Sequence, residues 1–443
     1  MPRRRYAVAL VSDFFYPRLG GVENHIGSLA RELLALGHKV IVVTHAYKGY
    51  KGVHFLNNNL KVYYCPIVPM TDEDALPTFT ATFPLLRWIW IREGIDIVHA
   101  HQATSTLANE SIVYASVLGL AAVYTDHSLF SLHDAAGIIL NRVLTTTLAT
   151  AQATIAVSQA CRDNLMLRTR VQRVFVIPNA VDAALFQPAP YPRTNNTDRL
   201  TVVVVSRLAY RKGVDLLVGI IPIICAKHPK VDFLVAGDGP KRLVLQEMVE
   251  AERLEERVRL VGAVPHTAVR DVLIQGHIFL NCSLTESFCI AILEASCAGL
   301  HVVSTNVGGI PEVLTEAVRL ADPNVPAMVA ALDAAIVAQQ SCPTANPWPR
   351  HHRLAQRYAW PQVATATVQV YEYALRQPRL TLGQRVECYF RVHGRGLTGW
   401  VVAVLAVTLE FYTRLVAWFQ PRSNIDVVPD KDKESSNIYI NDR

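Results

Sequence analysis

The sequence predicts an α/β protein of two doubly wound, parallel-sheet halves facing each other across a cleft, followed by one long apolar helix. Three observations predict it. Continuous β-branched and aliphatic runs such as LTVVVV at 200–205 lack polar alternation, as strands buried on both faces do. These runs alternate with amphipathic helical periods and glycine-containing loops. The segment 187–198, QPAPYPRTNNTD, has no apolar period and splits the pattern into two similar halves. The expected domains are therefore residues 1–190 and 199–380, then an apolar helix at 397–419 and a polar tail at 420–443. At 443 residues the chain has room for two α/β domains and an appendage.

The formal charge of +6 suits phosphates or anionic lipid and is too small to argue for nucleic acid. Eight cysteines stand without CxxC pairs or histidines at metal spacing, so neither a zinc site nor a disulfide scaffold is indicated, and a reduced, cytosol-facing compartment fits. The opening MPRRRYAVALV is basic and then apolar, but Asp13 interrupts the run early. It reads as a first strand, not a signal peptide.

The first strand, 6–12, leads into a loop containing Gly20, Gly21 and Glu23. A helix at 24–36 follows, apolar at Ile26, Leu29, Ala30, Leu33 and Leu34, and a strand at 40–44 completes a right-handed βαβ start. The glycine pair permits close approach of an anion to a helix N-terminus; such a pair also merely turns a chain, and it lacks the GxGxxG fingerprint of dinucleotide enzymes. Strands at 60–66, 95–99 and 121–125 come next. His127, just past the last, stands where α/β sheets place ligand contacts, and a satisfied structural histidine fits the position too. Residues 76–93 read either as an amphipathic element touching lipid or as a buried packing helix with Arg87 and Arg92 outside. Strands at 154–157 and 174–177 close the half.

The second half opens on the strand 200–205 and the loop SRLAYRKG at 206–213, ahead of a helix at 214–226. Arg207 and Lys212 straddle that loop, a fork and a point charge placed for a diphosphate, with surface solvation as the ordinary alternative. A strand at 231–236 runs into Gly237 and Gly239, and strands at 257–261 and 278–280 follow. Residues 279–313 then read as strand end, loop with Glu286, apolar helix at 288–298 carrying Glu294, capping Gly299, strand at 301–305, and Gly308-Gly309 before Pro311 at a helix start. Glu294 lies roughly 9 Å along its helix at about 1.5 Å per residue. The two acids therefore suit different parts of one elongated ligand better than a shared proton; a first-turn acid and a surface pair are the plain alternatives. An ionised acid among Ile290, Ile292 and Leu293 needs a partner.

A helix at 363–376 is placed to pack back across the hinge. Residues 397–419 are long enough to span a bilayer, yet Glu410 and Arg414, one turn apart, are costly at its centre and pair best with each other. The segment reads as spanning or interfacial. Arg385, Arg391 and Arg395 before it, against Arg422 alone close after it, keep the large N-terminal part cytosolic if it spans. Glycosylation acceptors at Asn109, Asn195 and Asn281 would contradict that side if modified.

The GGVE loop at 20–23, SRLAYRKG at 206–213, GDGP at 237–240 and the Glu286/Glu294 pair resemble the retaining glycosyltransferases of the GT-B fold, family 4. Longer stretches, among them SDFFYPRLGGVENHI, VIPNAVD and LIQGHIFLNCSLTESF, are similar to members that begin glycosylphosphatidylinositol anchors, over most of residues 6–315. The resemblance implies transfer of N-acetylglucosamine from UDP-N-acetylglucosamine to phosphatidylinositol on the cytosolic face of the endoplasmic reticulum, by a single-pass chain working with other subunits. It implies Arg207 and Lys212 on the diphosphate, Glu286 and His127 on the donor sugar, Glu294 on the ribose, and Gly20, Gly21, Gly237, Gly239, Gly308 and Gly309 in the donor loops. Glu23 and Asn24 are acceptor-side candidates. No cofactor and no metal is expected, because the two cations take over charge neutralisation. Base recognition near residues 262–264 is open, as is the acceptor of a related family 4 transferase. A nonenzymatic nucleotide-sugar-binding subunit would be expected to lack one of Arg207, Lys212, Glu286 or Glu294; all are present.

Overall fold

A computed structural model describes the chain except residues 1–3, 19, 57–58, 68, 72–73, 76–77, 79, 131–134, 172, 191–198, 315, 317, 342–345 and 430–443. In the first half the strands are β1 (Ala7–Val11), β2 (Lys39–His45), β3 (Gly52–Leu56), β4 (Leu60–Cys65), a short hairpin of β5 (Pro69–Thr71) and β6 (Asp74–Ala75), β7 (Ile97–His101), β8 (Ala121–Asp126), β9 (Ala153–Ala156) and β10 (Val174–Val176). The second half carries β11 (Leu200–Val205), β12 (Val231–Ala236), β13 (Val258–Gly262), β14 (Ile278–Asn281), β15 (His301–Thr305) and β16 (Val318–Ala321).

The first sheet has the order β10-β9-β8-β7-β1-β2-β4-β3 and the second β13-β12-β11-β14-β15-β16. All neighbours pair in parallel except β3 with β4. In both sheets the order reverses beside the first strand, β1 or β11, and such switch points open a crevice at the carboxyl ends of the strands. The glycine loop after β1 and the Arg207–Lys212 loop after β11 therefore leave their sheets at equivalent places. Apolar clusters cover both faces of each sheet, which is why β1 and β11 carry no polar alternation.

Several elements differ from the sequence reading. β3 and β16 are edge strands with exposed positions, so they lack the continuous apolar run that marks the interior strands. β7 begins two residues later than expected and ends on His101, which places His101 beside the expected His99 in the buried strand. The first helix starts at Gly21, with Gly20 as its N-cap. The glycine pair is thus the helix start itself, not a loop ahead of it.

The helix Trp360–Arg376 returns to the first domain and buries Trp360, Val363, Val370, Tyr371 and Ala374 in its core. Tyr371 Oη lies 2.8 Å from His99 Nδ1. Two helices follow, Leu382–His393 and Leu397–Phe419. The second lies on the first domain: Leu409 enters that core and Tyr412 packs 5.8 Å from the Phe83 ring. In the helix Phe83–Glu93 this changes one expectation, since Arg87 is buried and donates to the carbonyl of Gln420 at 2.9 Å. Glu410 pairs with Arg414 as expected, at 3.1 Å, and also with the buried Arg385 at 2.5 Å. Arg385 is therefore an ion-pair partner and not part of a loose basic flank. Asn109 and Asn281 are buried, which removes two of the three glycosylation acceptors from solvent; Asn195 lies outside the described residues.

Candidate active site

Between the two sheets lies a cleft of about 1530 Å³. Its first-domain wall includes Gly20, Gly21, Glu23, Asn24 and His127; its second-domain wall includes Arg207, Lys212, Gly237, Glu286 and Glu294. Ten of the thirteen residues expected to act thus meet in one place. The other three, Gly239, Gly308 and Gly309, do not line it.

Backbone packing explains those glycines. A Cβ on Gly239 would sit 2.5 Å from the carbonyl of Leu208, one on Gly308 2.1 Å from that of Glu286, and one on Gly309 2.1 Å from that of Ser287. The Gly309 amide is already bonded to the Glu286 carbonyl at 2.9 Å, so it holds the acid loop in place and is not open to phosphate. Gly237 lines the cleft and also packs closely, since a Cβ there would come within 1.8 Å of the carbonyl of Ser206.

The loop after β11 turns at Gly213, where φ is +71° and a Cβ would meet the carbonyl of Cys282 at 1.8 Å. That close approach seats Lys212 beside Glu286. Gly213→Ala is expected to destabilise the chain by about 1–2 kcal/mol from the left-handed backbone and further from the clash with Cys282, read as a lowered denaturation midpoint. An unshifted midpoint would show that the loop does not need this approach.

Glu286 is held by a lysine and Glu294 by a histidine. Glu286 forms an ion pair with Lys212 and accepts from Ser283 Oγ at 2.9 Å. Burial pulls the Lys212 pKa down, but the Glu286 carboxylate more than offsets it and holds the ammonium above its ordinary value. Glu294, buried on the helix Ile290–Cys297, meets His266 Nε2 at 2.8 Å. That bond, against opposing burial, raises the His266 pKa above 6.5. The stability this pair supplies is complete below the unfolded histidine pKa and is lost as pH rises through the higher folded one. Comparing the thermal midpoints of the parent chain and His266→Gln from pH 5.5 to 9 should show the gap between them shrinking as pH rises. A gap that widens would refute the pairing.

The histidines of the opposite wall are held neutral by burial. Buried His25, His99 and His101 cluster with half-buried His127: His101 Nδ1 lies 3.1 Å from His127 Nε2, and His25 donates to Asn179 Oδ1 at 2.8 Å. Burial pushes the His25 pKa down to about 4 and that of His99 to about 3, with His101 and His127 also well below the ordinary value. Ring nitrogens of His25, His101 and His127 lie within 4.8 Å of one another, close enough for an ion, although hydrogen bonds already engage one nitrogen of each. His127 is anchored from behind by Asp126, which pairs with the fully buried Arg168. Its own carbonyl accepts from Ser287 Oγ at 2.5 Å, a bond between the domains.

Other contacts cross between the domains. Ser158 Oγ donates to the carbonyl of Ser287 at 2.5 Å, Glu312 accepts from the amides of Gln159 and Ala160 at 2.6 and 2.8 Å, and Asn24 Nδ2 lies 3.4 Å from His266 Nε2. The cleft is therefore spanned at several points. Sequence reasoning missed His266 and the histidines behind His127. The second had a signal: IVHAH in a buried parallel strand places two polar side chains on one face.

A family model described as PIGA (GPI anchor biosynthesis) matches residues 45–134, and one described as glycosyl transferases group 1 matches residues 191–346. Among curated proteins, the chain is 44% identical over 430 residues to a human phosphatidylinositol N-acetylglucosaminyltransferase subunit, covering 96% of this chain and 88% of that one. The chain belongs to the PIGA family of phosphatidylinositol N-acetylglucosaminyltransferase subunits. The Arabidopsis thaliana member is 46% identical over 427 residues, with 96% and 94% covered.

Solved structures place this PIGA family member in the GT-B fold. Sucrose-phosphate synthase from Thermosynechococcus elongatus superposes with a TM-score of 0.67 at 20% identity, covering 83% of this chain and 98% of that one. Anabaena Alr3699/HepE in complex with UDP and glucose gives 0.66 at 17% identity, covering 83% and 100%. The expected architecture of two facing Rossmann-like domains is thus the observed one.

Proposed function

We propose that the chain transfers N-acetylglucosamine from UDP-N-acetylglucosamine to phosphatidylinositol, the first step of glycosylphosphatidylinositol-anchor synthesis. One observation carries the residue roles: Arg207, Lys212 and two acids, one partnered by Lys212 and one by His266, occupy one wall of the cleft, facing a neutral histidine and a helix N-terminus on the other.

The donor exchanges with the internal pairs. Lys212 leaves Glu286 for a phosphate oxygen, joined there by Arg207, and Glu286 is released to the sugar hydroxyls. Glu294 exchanges His266 for the ribose hydroxyls. As the bond between the anomeric carbon and the diphosphate lengthens, negative charge grows on the leaving oxygens, and the two cations stabilise it more than they stabilise the ground state. A divalent metal is not needed for that charge. His127, being neutral, hydrogen-bonds the sugar without competing for the diphosphate. The inositol enters past Glu23 and Asn24, with Gly20 and Gly21 offering the helix start to its phosphate. Its hydroxyl oxygen bonds to the anomeric carbon on the face that UDP leaves, and its proton passes to the departing phosphate oxygen, so configuration is retained.

The helix Leu397–Phe419, with mean hydropathy 1.6, associates the chain with the endoplasmic reticulum membrane, its catalytic domains cytosolic. The relatives' designation as a subunit supports work within a multi-subunit complex. The test supplies the assembled complex with phosphatidylinositol and donor labelled separately in sugar and uridine. Label in lipid, with UDP released one for one, is the expected result. Sugar released to water with no lipid product would overturn the acceptor assignment.

A further inference from the structure

Two neighbouring strands of the first sheet end in polar residues spaced by two. His99 and His101 lie on β7, Thr125 lies on β8, and His127 follows just past its end; the strands pair in parallel with His101 opposite Thr125. Side chains two apart share a face of a sheet, so all four meet on one side. There His99 Nδ1 lies 2.8 Å from Tyr371 Oη, and its Nε2 lies 2.7 Å from Thr125 Oγ1. With both nitrogens engaged the His99 ring is fixed, and it packs on the His101 ring at 4.1 Å between centroids. His25 closes the other side, edge-on to the His127 ring at 4.6 Å.

Of these four imidazoles, His127 alone lines the cleft. Its Nε2 is taken by His101 Nδ1 at 3.1 Å, which leaves Nδ1 for a molecule in the cleft. A neutral imidazole carries one N–H donor and one acceptor nitrogen, and burial keeps both rings neutral. A single proton therefore lies between them, and the ring that owns it decides what His127 offers. If His127 owned it, Nδ1 would face the cleft as a lone pair, and the proton of His101 would sit on Nε2. That nitrogen is buried and has no hydrogen-bond partner. An N–H buried without an acceptor is costly, and it is the rarer kind of orphan. The proton thus belongs to His101 Nδ1, and His127 carries its own on Nδ1.

We propose that His101 is a positioning residue for the transfer: by donating to His127 Nε2 from inside the first domain, it fixes the tautomer in which His127 offers an Nδ1–H to an oxygen of the donor sugar. The proposal rests on the reading that His127 meets that sugar, and adds to it the nitrogen that does so, the direction of the bond and the residue that sets both. His99, locked by Tyr371 on the returning helix and by Thr125, keeps the His101 ring in place.

The test measures kcat/KM for UDP-N-acetylglucosamine in the assembled complex, together with thermal midpoints, for His101→Leu, His101→Asn, His127→Ala and the double variant His101→Leu/His127→Ala. His101→Leu should lower kcat/KM by about 10- to 100-fold, the cost of misdirecting one hydrogen bond to the reacting sugar. His101→Asn places an amide N–H donor near the position of Nδ1 and should stay within about three-fold of the parent. In the chain that already carries His127→Ala, His101→Leu should cost less than about two-fold more, because a residue that acts through another has nothing left to act on. The same loss in both backgrounds would mark a packing role and overturn the proposal. So would parent kcat/KM in His101→Leu, or a loss in His101→Asn as deep as in His101→Leu. Should His101→Leu fail to assemble, His101→Asn decides alone: near-parent transfer supports the bond, and a loss at a retained midpoint refutes it. An active parent with a defective His127→Ala keeps the sugar contact standing whatever His101 does, whereas parent-level transfer in His127→Ala would remove that contact and the proposal with it.

Discussion

Lys212→Met is expected to lower the turnover of N-acetylglucosamine transfer by about 100- to 1,000-fold, the usual cost of removing one preorganised group that stabilises transition-state charge. The substitution keeps an unbranched side chain of similar length and removes the ammonium, with its charge and its N–H donors. Two effects act together. The diphosphate loses a cation that strengthens its grip as the glycosidic bond breaks, and Glu286, now without its partner, becomes an uncompensated acid facing an anionic donor. The loss should therefore appear mainly in kcat, since an interaction made chiefly in the transition state leaves substrate binding less affected. Lys212→Arg should recover part of it, because the charge returns while the point geometry does not. Lys227→Ala, which removes an exposed lysine paired with Asp333, serves as the control and should transfer at the parent rate. Full turnover in Lys212→Met would remove the electrostatic role.

Arg168→Leu is expected to destabilise the chain by about 3–5 kcal/mol, the cost of breaking a buried pair from one side. Arg168 and Asp126 are both fully buried, and Arg168 also reaches Asn141 Oδ1 at 3.3 Å and stacks over the Phe130 ring at 5.1 Å. Burial already raises the Asp126 pKa, with Arg168 opposing that rise; without the arginine the acid must protonate or the loop must open. Asp126 precedes His127, so the damage reaches the cleft. The double variant Asp126→Asn/Arg168→Leu should regain much of the lost stability, as removal of both charges does elsewhere. Urea denaturation of the single and double variants measures this, and a single variant as stable as the parent would refute it.

The interior of the fold was legible because parallel strands covered on both faces must be apolar throughout. β11, β12 and β15 were read to the residue for that reason. Of the edge strands, β10 and β13 were read to within one residue, whereas β3 and β16, which bury no position fully, resemble loops and were not. The site was legible where chemistry concentrates charge: Arg207, Lys212, Glu286 and Glu294 stand beside glycines or inside apolar runs, and each lines the cleft. Its supporting layer was not. Asp126 and Arg168 are 42 positions apart, and nothing in either local stretch announces the pair. His266 meets Glu294 only because the helix His266–Leu273 is laid against Ile290–Cys297 in space. Gly308 and Gly309 show the opposite error, in which a ligand-like signal answers to close backbone packing. The helix Leu397–Phe419 was legible from its length and apolarity, but its packing through Leu409 and Glu410 onto Arg385 and the Phe83 side of the first domain was not, because those partners lie far away in the chain.

The central claim is that this cleft carries out the transfer, and it is tested most directly in membranes from cells lacking the homologous subunit, supplied with either the intact chain or Glu294→Ala at equal abundance. Labelled N-acetylglucosamine should pass from UDP-N-acetylglucosamine into phosphatidylinositol with the intact chain and fall to background with Glu294→Ala. Equal product from both would place the chemistry outside this cleft, and no product from either, despite normal assembly with partner subunits, would contradict the assignment of the reaction to this chain.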